Sequence, residues 1–252
     1  VFEILSNSID EAREGFGSSI IVTKYLDGSI QVEDFGRGIP VDYNQNEQRY
    51  NWELVFCELY AGGKYQNDTG DNYEFSLGLN GLGLCATQYS SEYMEVEIHR
   101  DKQKYTLRFE KGENVSFEKQ PYRYKSTGSR IHWRPDLEVF TDIDIPLEYY
   151  QDVLRRQAIV NKGLVFTLKV ETPEGFTSQD FLYQDGITDY VKEVLGDQGL
   201  TGVQYWETER TGRDREDKPE YKVKLSVAMA FSNRVKQQEY YHNSSFLEHG
   251  GS

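Results

Sequence analysis

Apolar residues recur along this chain at two spacings, and the switches between them mark out its elements. Phe2, Leu5, Ile9 and Ala12 repeat at helical spacing from Val1 to about Glu14, and Gly15 and Gly17 close that segment. No capping residue opens it, so a segment upstream is expected. The period then changes to two. Residues 19–26 (SIIVTKYL) and 29–34 (SIQVED) read as paired strands about Asp27-Gly28, a strong hairpin signal.

Helical spacing returns at 51–60 (NWELVFCELY), ending at Gly62-Gly63. Residues 64–75 are polar and aperiodic, a long loop of the kind usually reserved for function. A glycine-rich stretch, 76–83, turns apolar and feeds a second short helix. YMEVEIH and KYTLRFE then form another hairpin, with NVSFEK and GSRIHWRP as further strands. A helix is expected over 145–161, starting near Pro146 where proline is tolerated, followed by the strand LVFTLKVE. A short helix at 186–195 precedes strands near 203–208 and 221–231, which a charged loop connects. This order predicts an α+β layer: a mixed, mostly antiparallel sheet with helices packed on one face.

Composition narrows the function classes. The chain has 252 residues, 42 acidic against 28 basic, for a net charge of -14. A surface that grips nucleic-acid phosphates is basic, so this chain is not expected to be the main grip on DNA. A small phosphate ligand stays open, because backbone amides and a metal ion can hold one. Much of the apolar material is aromatic, with 19 Tyr and 13 Phe, enough for a substantial core. No apolar run reaches membrane-spanning length and no secretory pattern opens the chain, so a cytoplasmic protein with no membrane partner is expected. Cys57 and Cys85 sit in apolar helical segments as free thiols of a reducing compartment, without metal-site spacing.

Four stretches have the residue types for chemistry. Glu3, Asn7 and Asp10 stand at i, i+4 and i+7, which lines one helix face with carboxylate, amide and carboxylate and no lysine. By itself such a stripe is as readily a solvated face. In VEDFGRGIP, Asp34 ends a strand where it can read an amino group beside a ring nitrogen, as a purine offers them. Gly36 and Gly38 permit a positive φ or a close backbone approach there, although a tight turn with an Asx bond explains the same residues. In LGLNGLGL, Gly78, Gly81 and Gly83 precede a helix and could cradle phosphates, with Lys64 of AGGKY nearby as a flexible cation. Ser129 in STGSR could bond a ligand, or simply shape its turn.

The order of these motifs is more specific than any one of them. E-x-x-x-N-x-x-D-E, D-x-G-x-G-I-P, A-G-G-K, L-G-L-N-G-L-G and T-G-S follow one another within the first 130 residues. Together they resemble the ATPase domain of type II DNA topoisomerases of the gyrase B and topoisomerase IV ParE kind, within the GHKL ATPases. The resemblance implies the GHKL (Bergerat) sandwich over 1–198 and the first strands of a transducer domain over 199–252. It implies ATP as ligand with Mg²⁺, and Glu3 as the general base that orients the attacking water. It makes Asn7 the magnesium ligand, Asp10 and Glu11 the acidic pair closing that motif, and Glu11 the partner of Arg37. Asp34 would bind the adenine amino group with Ser129 sharing a water. Gly38 would let the backbone approach the base, with Arg37, Ile39 and Pro40 over one face. Lys64 and Tyr73 would be lid contacts, and Leu79, Asn80, Gly81, Leu82 and Gly83 the phosphate loop.

Departures from the family pattern bear mainly on the lid. Leu77 and Asn80 stand where many bacterial members carry glycine and histidine. Ser6 replaces an aspartate, Phe35 a polar residue and Ser129 a threonine. The arm that reaches across the family's dimer and the transducer lysine at the γ-phosphate are both missing from the sequence. A monomer that binds ATP with weak or no turnover is therefore expected. In the full protein the resemblance implies three partners: DNA, a second copy of the same gyrase B-like chain, and a GyrA- or ParC-like protein. A GHKL switch of another branch, MutL-like or chaperone, is the alternative reading.

Overall fold

The computed structural model describes residues 1–60, 82–213, 215 and 220–250. Its centre is an eight-stranded sheet, and the fold is α+β as the patterning predicts. The strands are β1 (Ser19–Lys24), β2 (Ile30–Asp34), β5 (Ser91–Arg100), β6 (Gln103–Glu110), β7 (Glu113–Pro121), β8 (Gly128–Pro135), β9 (Val165–Thr172) and β10 (Gly175–Phe181). They lie in the order β10-β9-β1-β2-β8-β5-β6-β7. Every pairing is antiparallel except β1 with β9, which run parallel from Ser19↔Val165 to Lys24↔Val170. Two short strands, β3 (Tyr43–Asn44) and β4 (Arg49–Tyr50), pair separately.

Alternation decides which face of the sheet is dry. Val22, Val32, Ile131, Val96, Leu107 and Phe166 point to one side and are buried there. The opposite face carries Glu33, Glu97, Arg130 and Lys104, with Glu97 taking both Lys104 and Arg130 in ion pairs. The helices α1 (Phe2–Arg13), α2 (Asn51–Cys57), α3 (Gly83–Tyr89) and α4 (Leu147–Val160) share one core with the buried face. α4 begins after Pro146, whose extended ψ makes it the capping position rather than the first helical residue.

α1 is amphipathic, though its dry stripe is broader than Phe2, Leu5, Ile9 and Ala12. Ile4 joins Leu5 and Ile9 in the core, while Phe2 and Ala12 are half-buried. The first hairpin turns at Asp27-Gly28 as its sequence demands. Gly28 has φ 82° and Asp27 Oδ1 accepts both the amide and the hydroxyl of Ser29. Beyond a fifth helix, α5 (Ile187–Leu195), β11 (Gln204–Gly212) and β12 (Tyr221–Met229) pair only with each other among the described strands. The last described feature is a hairpin of β13 (Tyr241–His242) and β14 (Ser245–Phe246). Cys85 is buried and Cys57 half-buried, both free thiols. No helix among the described residues is long and apolar enough to cross a membrane.

Candidate nucleotide site

β2 ends at Asp34, and the antiparallel register sets that end beside the start of β8, with Glu33 opposite Arg130. Asp34 is only 9% exposed. Its Oδ2 accepts the Ser8 hydroxyl at 2.8 Å, and its Oδ1 accepts the amides of Gly36 at 3.0 Å and Ser129 at 3.3 Å. The Gly36 contact is the Asx bond that a bare turn would make. The other two come from α1 and β8, so the carboxylate is also a tie between three elements. Burial pushes its pKa up, and the three donors oppose that shift only in part. A carboxylate held this way is rigid, and its site rewards a ligand that brings donors.

Glycines let the chain close around this carboxylate. Gly128 has φ 147°, and a Cβ there would stand 2.1 Å from the Asp34 carbonyl oxygen. At Gly38, φ is 84° and a Cβ would meet the His99 carbonyl oxygen at 2.8 Å. Gly36 has no positive φ; its need is space, since a Cβ would press on the Glu11 side chain at 3.0 Å. The 126–130 turn is fastened across the gap, with Thr127 Oγ1 donating to Gly36 O at 2.5 Å. Ser129 Oγ accepts the Ile39 amide at 3.0 Å, which sets Ile39 and Pro40 beside the Asp34 end.

Arg37 forms the rim. Glu11 takes its backbone amide at 3.1 Å, its Nε at 3.1 Å and its Nη2 at 2.7 Å, and Glu14 takes Nη2 as well. The guanidinium stands 4.1 Å over the Phe16 ring. Phe16 is delivered there by the end of α1, where Gly15 (φ 89°) donates to Ala12 O and Phe16 to Glu11 O, a Schellman turn. The expected Glu11–Arg37 pair is present, and Glu11 acts through Arg37 rather than as an open carboxylate.

The α1 stripe differs in character. Glu3 is exposed and Asn7 and Asp10 are half-buried. Asn7 Nδ2 donates to Glu3 O at 3.2 Å, which leaves its amide oxygen as the donor atom a Mg²⁺ would take. Ser6 turns inward and donates to Phe2 O at 2.8 Å. Glu3 lies against the start of α3. A Cβ on Gly83 would come within 2.4 Å of Glu3 Oε2 and 2.9 Å of its Cβ, so a side chain there would displace Glu3. Leu82 is the residue that caps α3. Among the described residues no three His, Cys, Asp or Glu side chains gather into an all-protein metal cage. Magnesium held by one amide, phosphate oxygens and water needs no such cage.

The fold sets Glu3 of α1 against Gly83 at the start of α3, with Asn7 one turn further along α1 and Leu82 at the α3 cap. It gathers Glu11, Asp34, Arg37, Gly38, Ile39, Pro40 and Ser129 at the adjoining strand ends. Lys64, Tyr73, Leu79, Asn80 and Gly81 lie outside the described residues. Sequence reading missed Ser8, and it gave Thr127 and Gly128 of the T-G-S motif no role of their own. Ser8 carried no local signal, because its partner Asp34 lies 26 residues away. A separate concavity of about 400 Å³, lined by residues 24–28, Ile143 and Glu171, lies at the opposite end of the β1–β2 hairpin and contains none of these residues.

No family model matches the chain. Individual relatives do. It is 36% identical over 199 residues to the B subunit of DNA topoisomerase 4 from Escherichia coli, covering 77% of this chain and 30% of that protein. It is 33% identical over 236 residues to the B subunit of DNA gyrase from Thermotoga maritima, covering 92% of this chain and 36% of that protein. The chain belongs to the gyrase B and topoisomerase IV ParE family. It spans about a third of the length of the curated relatives it matches. Among solved structures, it matches the 43K ATPase domain of Thermus thermophilus gyrase B in complex with an aminocoumarin. The TM-score is 0.65 at 26% identity, with 85% of this chain and 53% of that chain covered. The eight-stranded sheet with helices on one face is thus the fold of a gyrase B ATPase domain.

Proposed function

We propose that the chain binds ATP with Mg²⁺ and hydrolyses it as the ATPase domain of a type II DNA topoisomerase. In that reading, ATP closes a gate between two such domains, and closure drives passage of one DNA duplex through another. The observation that carries it is Asp34. A buried carboxylate tied by Ser8, Gly36 and Ser129 is fixed at the edge of a glycine-lined approach. In this reading its oxygens accept an adenine amino proton, and Ser129, whose amide already bonds Asp34, shares a water with it. Arg37, Gly38, Ile39 and Pro40 bound the base on one side.

Glu3, exposed at the mouth of the α1–α3 contact, orients and deprotonates the water that attacks the γ-phosphate. The absent lysine now has a reason, since a cation beside Glu3 would neutralise the base. Asn7 offers the single protein ligand to Mg²⁺, which supplies charge neutralisation on the phosphates when bound. Leu82 and Gly83, continuous with Leu79, Asn80 and Gly81, form the phosphate loop, and Lys64 and Tyr73 act from the lid. Asp10 closes the acidic motif, and Glu11 fixes Arg37.

Residues 199–252 begin a transducer unit. One face of the β11–β12 ribbon carries Trp206, Leu225 and Val227 exposed to solvent, as the first strands of a larger sheet would. In the cytoplasm, the full protein works with DNA, a second copy of itself and a GyrA- or ParC-like protein, while this chain by itself is a monomer that binds ATP with weak or no turnover. Calorimetric titration of the chain with a non-hydrolysable ATP analogue and Mg²⁺ tests the reading. Saturable one-to-one binding at micromolar to millimolar nucleotide is expected, and no binding at millimolar nucleotide would sink it.

A further inference from the structure

The hairpin of β13 and β14 ends in two residues that sequence alone would not put there. Asn243 and Ser244 both adopt left-handed backbone, with φ 46° and 68°, to make a two-residue turn. Such a turn favours glycine at its second place, so something must hold Ser244 in it. Ser244 is 4% exposed, and it is surrounded by polar partners from two helices. Its carbonyl accepts Gln157 Nε2 at 2.9 Å, and its hydroxyl accepts Arg13 Nη2 and Asn161 Nδ2. Arg13 Nε donates in turn to Asn161 Oδ1 at 2.9 Å, and Asn161 Nδ2 also returns to Gln157 O at 2.8 Å. Gln157 and Asn161, at the end of α4, are themselves buried.

The hairpin is also fixed without Arg13. Glu239 accepts the hydroxyls of Tyr190 at 2.6 Å and Tyr241 at 2.7 Å, and Arg156 lies 4.1 Å over the Phe246 ring. The hairpin and α4 therefore make one body, and Arg13 is the bolt between that body and the last turn of α1. A planar guanidinium suits this work because its Nε and Nη2 reach two acceptors at once, which a lysine ammonium does not reproduce.

We infer that Arg13 is a positioning residue: by clamping the end of α1 to buried Ser244 in the turn of the 241–246 hairpin, it sets where Glu3 and Asn7 stand. The inference rests on the reading of α1 as the wall that carries the water-orienting carboxylate. α1 acts as a lever. Glu3 lies ten residues from Arg13, roughly 15 Å along the axis, so a tilt of about 4° at the clamp shifts Glu3 by about 1 Å. A misplacement of that size costs up to roughly 100-fold in a positioned reaction. Core packing at Leu5 and Ile9 limits the tilt, so a smaller loss is expected.

The test uses ATP hydrolysis by the full-length protein, with nucleotide affinity and melting temperature measured on the same samples. Arg13→Gln should lower kcat about tenfold while KM and analogue affinity stay within about threefold. Arg13→Lys should recover part of the loss. Ser244→Ala should lower kcat in the same sense, and the double variant should be no worse than Arg13→Gln alone. An unchanged kcat in Arg13→Gln overturns the inference, as does a loss shared equally by kcat and nucleotide affinity. Should Arg13→Gln fail to fold, Ser244→Ala decides by the same criteria. Glu3→Ala is the control on the underlying reading: hydrolysis that survives it overturns the base assignment and the clamp with it. If Glu3→Ala abolishes hydrolysis and both clamp variants leave kcat intact, only the clamp is wrong.

Discussion

Asp34 and Glu3 are both carboxylates of one site, and the fold treats them oppositely. Asp34 is buried, takes three hydrogen bonds, from α1, β8 and its own turn, and has its pKa pushed up by burial. Glu3 is exposed on the first turn of α1, against the glycine that opens α3. The first arrangement suits recognition, where a fixed acceptor pays its desolvation cost at folding and discriminates afterwards. The second suits a group that must meet water and a phosphate. Binding and chemistry are thus divided between a rigid strand end and an accessible helix face, and variants at the two places should fail in different ways.

The largest expected effect lies on the chemical side. Glu3→Ala in the full-length protein should lower hydrolysis by roughly 100- to 10,000-fold while leaving nucleotide affinity within about threefold. A parallel loss of binding would merge the two roles and break the comparison. Next comes the scaffold of the recognition side. Gly128→Ala puts a methyl within 2.1 Å of the Asp34 carbonyl oxygen, at a φ that side chains avoid. It should cost more than about 3 kcal/mol of stability, read as a melting temperature lowered by roughly 6–12 °C.

Asp34→Asn should weaken ATP binding about 10- to 100-fold yet leave the ligand-free fold as stable or more so, because the buried charge is gone. The pH dependence gives the same comparison a sign. A carboxyl whose pKa is raised in the folded state holds its proton more tightly than in the unfolded chain. It therefore contributes most stability below the ordinary carboxylate range, and that contribution is lost as pH rises toward its raised folded value. Chemical unfolding across this range should show the fall in the unmutated protein and a flatter profile in Asp34→Asn. The smallest effect is expected at the rim. The Glu11–Arg37 pair is partly exposed, so Glu11→Gln should cost about 1 kcal/mol or less and shift affinity only a few-fold.

Much of this architecture was legible in the sequence where the signal was local. The Asp27-Gly28 turn, the stripe of α1 and the end of β2 at Asp34 each follow from periodicity and turn chemistry within a few residues. What stayed hidden was non-local or polar. β10 (Gly175–Phe181) is an edge strand with six of its seven residues exposed, so no alternation marks it. The parallel pairing of β1 with β9 joins segments more than 140 residues apart across α4, and no local pattern specifies it. Ser8 reaches Asp34 across 26 residues, and Ser244 reaches Arg13 across 231. Both are ordinary serines until the fold supplies their partners. Gly128 sat in a turn that needed no ligand to explain it, and only the approach of Asp34 shows why no side chain fits.

Discrimination between ATP and GTP tests the central claim most directly, because Asp34 is held to read an amino group where GTP presents a carbonyl oxygen. Calorimetry with non-hydrolysable analogues of both, on the unmutated chain and on Asp34→Asn, gives the ratio of affinities. A preference for the adenine nucleotide of at least about 100-fold is expected, collapsing to within about tenfold in Asp34→Asn. Equal affinity for the two nucleotides, or a preference that survives the substitution, would contradict the account.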